Sequence, residues 1–171
     1  MKILFPSIII VALLVAFVGC GKSEATKAAE QERHDARQKF NEAIAAIKVR
    51  TQGSTYPEFR QAELDLKTSY EANKAYLADV SNQFANLDAL VKATDYFWSY
   101  NVQYPDLPLL PTKDEIRFAQ TINPDTHLSE KTGYHLDQQL KDPEFYAKNY
   151  VEKGLKKIDG QAEDLLNSLA K

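Results

Sequence analysis

FRQAELDLKTSYEANKAYLADVSNQFANLDALVKATDYFW, residues 59–98, decides the architecture. Stepping through it by alternating fours and threes lands on Phe59, Glu63, Leu66, Tyr70, Asn73, Leu77, Val80, Phe84, Leu87, Val91, Thr94 and Trp98. Most of these stops are apolar, and neither glycine nor proline interrupts the run. A heptad of this kind lays one apolar stripe along a helix. Such a stripe is insoluble alone, so other segments have to cover it.

The flanks supply those segments. Before the stripe, Phe40, Ala43, Ile44 and Ile47 share one helical face, and Thr51-Gln52-Gly53-Ser54 signals a turn. Thr55 and Glu58 then form a capping box with Pro57 in the first turn. Glu63 with Lys67 and Asp88 with Lys92 have spacings that support the outer face. After Trp98, the segment from Tyr104 to Pro111 carries three prolines that forbid regular helix. Thr112-Lys113-Asp114-Glu115 is a second capping box, and a further short helix fits Tyr134 to Leu140. Val151, Leu155, Ile158, Ala162, Leu165 and Leu169 repeat the fours and threes in the last helix, where Gly154 lies beside the stripe and permits close helix approach.

These patterns predict an all-α protein: an antiparallel, coiled-coil-like helical bundle with one long central helix and a Pro-rich connection with short helices. The expected helices are residues 36–50, 56–101, 112–120 and 143–169. A helix over 57–101 would be about 67 Å long, against about 22 Å for 36–50. Either the polar segment before residue 40 extends, or the long helix breaks near Ser81-Asn82. The unbroken heptad phase favours one continuous helix.

The N-terminus reads as an address. Lys2 precedes the apolar run Ile3 to Val18, which as a helix spans about 24 Å and falls short of a hydrocarbon core of about 30 Å. A short basic start, an apolar middle and a small residue at the end describe a secretory signal, here residues 1–19. The run closes on Phe17-Val18-Gly19-Cys20, with the only cysteine of the chain directly after a glycine. This ending resembles the lipobox of bacterial lipoproteins, although Phe17 stands where that class usually has an aliphatic residue. The resemblance covers residues 1–20 and implies cleavage between Gly19 and Cys20, a diacylglycerol on the Cys20 thiol, and acylation of the new amine. Gly21, where an Asp would imply inner-membrane retention, implies the outer membrane facing the periplasm in a Gram-negative source. The plainer alternative is a free Cys20 thiol, after an ordinary cleaved signal or on an uncleaved anchor helix. Two or more acyl chains anchor a protein stably where one does not. Residues 20–39 then form a polar, partly helical tether, and residues 40–171 a single helical domain.

Composition narrows the function classes. The chain has 171 residues, 26% charged and 44% apolar, which suits one folded domain with a modest core. Its formal net charge is −3, and removal of residues 1–19 takes away only Lys2, leaving −4. This mildly acidic balance, with no dense basic patch, argues against nucleic acid as a partner. A single cysteine excludes an internal disulfide framework.

Few residues suggest chemistry. There is no G-x-S-x-G elbow, phosphate loop or H-E-x-x-H motif, so no catalytic residue, metal ligand or cofactor is assigned and the chain reads as non-enzymatic. His127 and His135, near Asp125, Glu130 and Asp137, match no compact metal motif, and His34 lies in the polar tether. The densest feature is the aromatic run Tyr96, Phe97, Trp98, Tyr100 and Tyr104. Successive helical residues point in different directions, so these rings cannot all face one core. Trp98 continues the stripe into the core. Tyr96, Trp98, Tyr100 and Tyr104 are the candidate ligand or partner face, set against a second small core that caps the bundle.

The functional expectation is a lipid-anchored envelope protein that binds or scaffolds a protein partner. A small-molecule or lipid carrier with a pocket at Trp98, Tyr100, Leu107 and Leu110 is the alternative, and a metal-dependent enzyme using His127 and His135 is the third reading. Mass spectrometry of the mature N-terminal peptide is expected to find acylated Cys20. An intact Met1 or a bare Cys20 would remove the lipoprotein reading.

Overall fold

A capped turn, a reversal without glycine or proline, and a long crossover arrange five α-helices in the computed structural model, which describes residues 23–104, 113–124 and 147–170. The helices are α1 (Glu24–Arg50), α2 (Tyr56–Asn73), α3 (Ser81–Gln103), α4 (Lys113–Ile122) and α5 (Ala147–Leu169). Among the described residues there is no strand.

The chain divides into two units, residues 1–34 and 35–171. In the first, the described residues 23–34 are exposed throughout, and the Ser23 carbonyl and hydroxyl both accept from the Thr26 backbone N–H at the start of α1. The expected helix start at residue 36 is therefore corrected to Glu24. Ala36 is instead the first buried position, because residues 24–35 lack large apolar side chains.

In the second unit, α1, α2, α3 and α5 run up, down, up and down. The α1–α2 turn at 51–54 forms as the sequence predicts, with Gly53 at φ 121°. Glu58 Oε2 accepts from the Thr55 backbone N–H at 2.8 Å, which closes the cap and holds the Glu58 carboxyl below its ordinary pKa. Helix α1 pairs antiparallel with α2: Arg50 reaches Glu58 at one end, and Phe40 meets Tyr70 at a centroid distance of 5.7 Å toward the other. Helix α5 runs antiparallel to α3, with Tyr150 stacked on Phe97 at 4.6 Å and Gln83 bonded to Ser168. Lys48 pairs with Glu163 across α1 and α5.

The single helix expected over 56–101 is corrected here. It ends at Asn73, two 3-10 turns over Lys74–Tyr76 and Ala78–Val80 reverse the chain, and α3 starts at Ser81. Asn73, Leu77 and Val80 take φ between −113° and −118° with ψ near zero, outside the α-helical basin. The Asn73 side-chain amide donates to the Ser69 carbonyl, and the Ser81 hydroxyl donates to that of Ala78. Leu77 and Val80 are buried at 0% and 2% exposure. The reversal therefore covers apolar surface that a straight rod would leave bare. Residues 74–80 span one heptad, so the fours and threes keep step through the bend, and phase continuity could not reveal it.

The core contains the expected Phe40, Ile44, Ile47, Phe59, Leu66, Phe84, Leu87, Val91, Ile158 and Leu165. It also contains Leu90, Ala93 and Phe97, a second row on α3 that receives α5. Gly154 marks a close helix approach: an added Cβ would lie 2.1 Å from Thr94 Oγ1. Thr94 is fully buried and its hydroxyl donates to the Leu90 carbonyl, so it has no room to yield. Helix α4 covers the Tyr96 side of α3 with Ile116, Ala119 and Ile122. It extends two residues past the expected end at 120. The short helix expected at 134–140, and the start of the last helix at 143, lie outside the described residues.

These contacts separate two glycines on one helix. Gly154→Ala is expected to destabilise by about 1–3 kcal/mol through overpacking. Gly160→Ala, where nothing lies within 4 Å, is expected to stabilise by up to about 1 kcal/mol. Chemical denaturation of the two variants beside the parent checks both signs.

Candidate functional site

Helix α3 distributes the candidate aromatic face to different neighbours. Tyr96 turns to α4: its ring lies 4.8 Å from Phe118, and its hydroxyl donates to Glu115 Oε1 at 2.9 Å. Phe97, one residue on, is 1% exposed and stacks on Tyr150 of α5. Trp98 turns to α2, between Tyr56 at 5.9 Å and Phe59 at 5.1 Å. Tyr100 packs on the core edge, and Tyr104, 46% exposed, lies 5.1 Å from it. The four candidates thus do not converge on one cavity among the described residues. Tyr96 and Trp98 join α3 to α4 and α2, and Tyr100 with Tyr104 form the more open pair. The ring that fills the core is Phe97, while Trp98 is half-buried, because α5 docks on the row one residue before the stripe.

Thr112 of the expected second capping box lies outside the described residues, and Glu115 is seen here in a second setting, against α3. It is 9% exposed, and the Tyr96 hydroxyl is one of its partners. Burial pushes the Tyr96 phenol up to about 12, with the neighbouring Glu115 carboxylate adding to the effect.

Between α2 and α3 lies a polar cluster that sequence reasoning missed. Arg60 Nη1 donates to Glu63 at 2.7 Å and to Asp95 at 2.9 Å. Glu63, expected to pair with Lys67 on the outer face, instead turns into the seam. Its side chain is 13% exposed and that of Asp95 17%. Burial pushes both carboxyls above their ordinary pKa values, and at Glu63 the Asp95 charge adds to it. The available signal was Glu63 itself, a carboxylate at a stripe position. Its partners stayed hidden because the α2–α3 pairing depends on the reversal.

The remaining expectations divide as follows. His34 is exposed. Gly19, Cys20, Leu107, Leu110, His127 and His135 lie outside the described residues. Among the described residues, no group of three or more His, Cys, Asp or Glu side chains is arranged to hold a metal ion. No helix among them is long and apolar enough to cross a membrane. A surface cleft of about 420 Å³ lies along the outer face of α2 at Pro57, Arg60, Leu64 and Lys67, and includes none of the aromatic candidates.

The fold defines an all-α helical bundle, with joints between helices at Lys48–Glu163, Arg60–Asp95, Gln83–Ser168 and Tyr96–Glu115. No family model, no curated protein and no solved structure matches the chain.

The Tyr96 contact has a pH signature. The folded state holds this proton more tightly than the unfolded chain, whose tyrosines titrate near 10. Its contribution to stability is complete below about pH 10 and is lost as pH rises through about 12. Tyrosinate absorbance is expected to lose the amplitude of one tyrosine from its latest phase in Tyr96→Phe, while the raised Tyr56 and Tyr100 remain. The same variant is expected to cost about 1–3 kcal/mol, because a buried carboxylate loses a donor.

Proposed function

We propose that this chain is a membrane-anchored envelope lipoprotein whose helical bundle acts as a non-enzymatic binding or scaffolding module. The observation that carries the reading is Cys20, the only cysteine, directly after Gly19 at the close of an apolar run too short to span a bilayer. Acylation there gives the chain a lipid anchor, in the outer membrane facing the periplasm where the source is Gram-negative.

The domain's composition and packing support the non-enzymatic half. Large apolar side chains such as Phe40, Phe59, Phe97, Leu87 and Ile158 fill the described interior. The two polar residues described as buried are both bonded, Thr94 to the Leu90 carbonyl of its own helix and Glu115 to the Tyr96 hydroxyl. The proposed partner is another envelope protein. The carrier reading keeps one observation in its favour, the open Tyr100–Tyr104 pair at the end of α3.

The two readings part in one experiment. Chemical cross-linking of membranes carrying the parent chain is expected to give a discrete adduct with a second protein, and Cys20→Ser, which has no thiol to acylate, is expected to lose it. Native mass spectrometry of the gently purified parent is expected to show no retained small molecule. Absence of any adduct together with a retained lipid would replace scaffolding by carriage.

A further inference from the structure

The α2–α3 seam contains a charge imbalance that packing does not require. Arg60 places one nitrogen between two carboxylates, so the acceptor oxygens of Glu63 and Asp95 lie within about 6 Å of each other. One cation thus serves two largely buried anions. The other Asp95 oxygen, Oδ1, is buried and accepts no hydrogen bond. A buried carboxylate oxygen without a donor is costly when ionised, and a proton removes that cost.

The surroundings do not supply the missing positive charge. On α2, the Tyr56 phenol is a hydrogen-bonding neighbour of Asp95 whose lowering effect on that carboxyl is outweighed by burial, and Lys67 lines a surface cleft with Arg60 and Glu63 without an ion pair to either carboxylate. On α3, Asp88 adds a further negative charge near Glu63, and Lys92 is engaged by Asp88. Helix α1 spends Arg50 on Glu58, on another flank of α2, and Lys48 on Glu163 of α5. Helix α4 brings Glu115, which Tyr96 engages. Helix α5 meets this end of α3 through Tyr150, stacked on Phe97.

We propose that Glu63, Asp95 and Arg60 form a proton-binding clamp: in mildly acidic surroundings the carboxyl pair takes up one proton from solvent, the cluster becomes neutral, and α2 is held more tightly to α3. The sign follows from linkage. Both carboxyls titrate above their ordinary values in the folded chain. The folded state therefore binds the proton more tightly than the unfolded state. The stabilisation is complete below the ordinary carboxylate range and is lost as pH rises through the folded values. This runs opposite to the usual acid weakening of folded proteins, to which Glu58, Glu71 and Glu163 contribute here through lowered values. The clamp bears on the exterior of a cell more than its interior, because external pH varies with the medium. That setting rests on the envelope reading, but the proton binding does not.

The test uses the full-length chain in detergent. Carbon-detected NMR is expected to place the side-chain carboxyl midpoints of Glu63 and Asp95 above the ordinary range of exposed carboxylates. Thermal unfolding from about pH 7 to about pH 4.5 is expected to show a gain for the parent relative to Glu63→Gln and Asp95→Asn, with the difference growing as pH falls. Either variant is expected to narrow the pH response while leaving membrane attachment intact. Midpoints for both carboxyls at or below the ordinary range would overturn the clamp, as would parallel pH profiles for all three proteins. If a variant fails to fold, the NMR midpoints of the parent decide alone.

Discussion

The structure depends on the need to cover one apolar stripe two helices long. A chain reversal meets that need by making the stripe cover itself. Tyr70 and Phe84 stand on opposite sides of the bend and stack at 3.7 Å, and Phe40 of α1 closes on both at 5.7 Å. Leu77 and Val80 fill the space beneath the turn, and the Arg37 guanidinium grips Asp79 with two of its nitrogens from outside. Aromatic pairs add stabilisation of about 0.5–1.5 kcal/mol beyond their buried area. Because α3 returns alongside α2, its other flank is left open for α5.

Close packing then determines where polar groups can stand. Against α5, α3 presents Leu90, Thr94 and Phe97, and the helices approach so closely at Thr94 that only glycine fits opposite. Against α2, α3 sets Trp98 on Phe59 and, beside it, Asp95 on the Arg60 guanidinium that also holds Glu63. Against α4, a tyrosine and a glutamate meet at a buried joint. Helix α3 thus meets α5 through a tight contact, α2 through rings and an ionic cluster, and α4 through a ring pair and a hydrogen bond, while its Phe84 also touches Phe40 of α1. The proposed role in the envelope needs a domain that holds its shape at the end of a lipid tether. Three unlike seams around one helix serve that need, because each specifies a single partner face.

The reversal shows where local pattern stops being informative. A heptad states which residues share a face and is silent on whether the helix continues, since seven residues in two 3-10 turns return the count to phase. The cues that were present, Asn73 and Ser81, are common helix residues whose capping bonds become visible only in three dimensions. The same holds for Trp98 and Phe97. Either ring could have entered the core, and the docking side of α5 chose Phe97.

The sequence by itself determined the all-α class, the turn at 51–54, the capping box at Thr55 and Glu58, and nearly every buried residue of the stripe. These follow from periodicity and short-range hydrogen bonding, which act within a few residues of chain. Tertiary structure alone decided that α2 and α3 are separate helices and that Glu63 turns inward to meet Asp95. It also decided that Glu115 is buried beside Tyr96, and that α5 sets its Gly154 against Thr94 of α3. Each of these depends on residues distant in sequence competing for the same volume and the same water-free space.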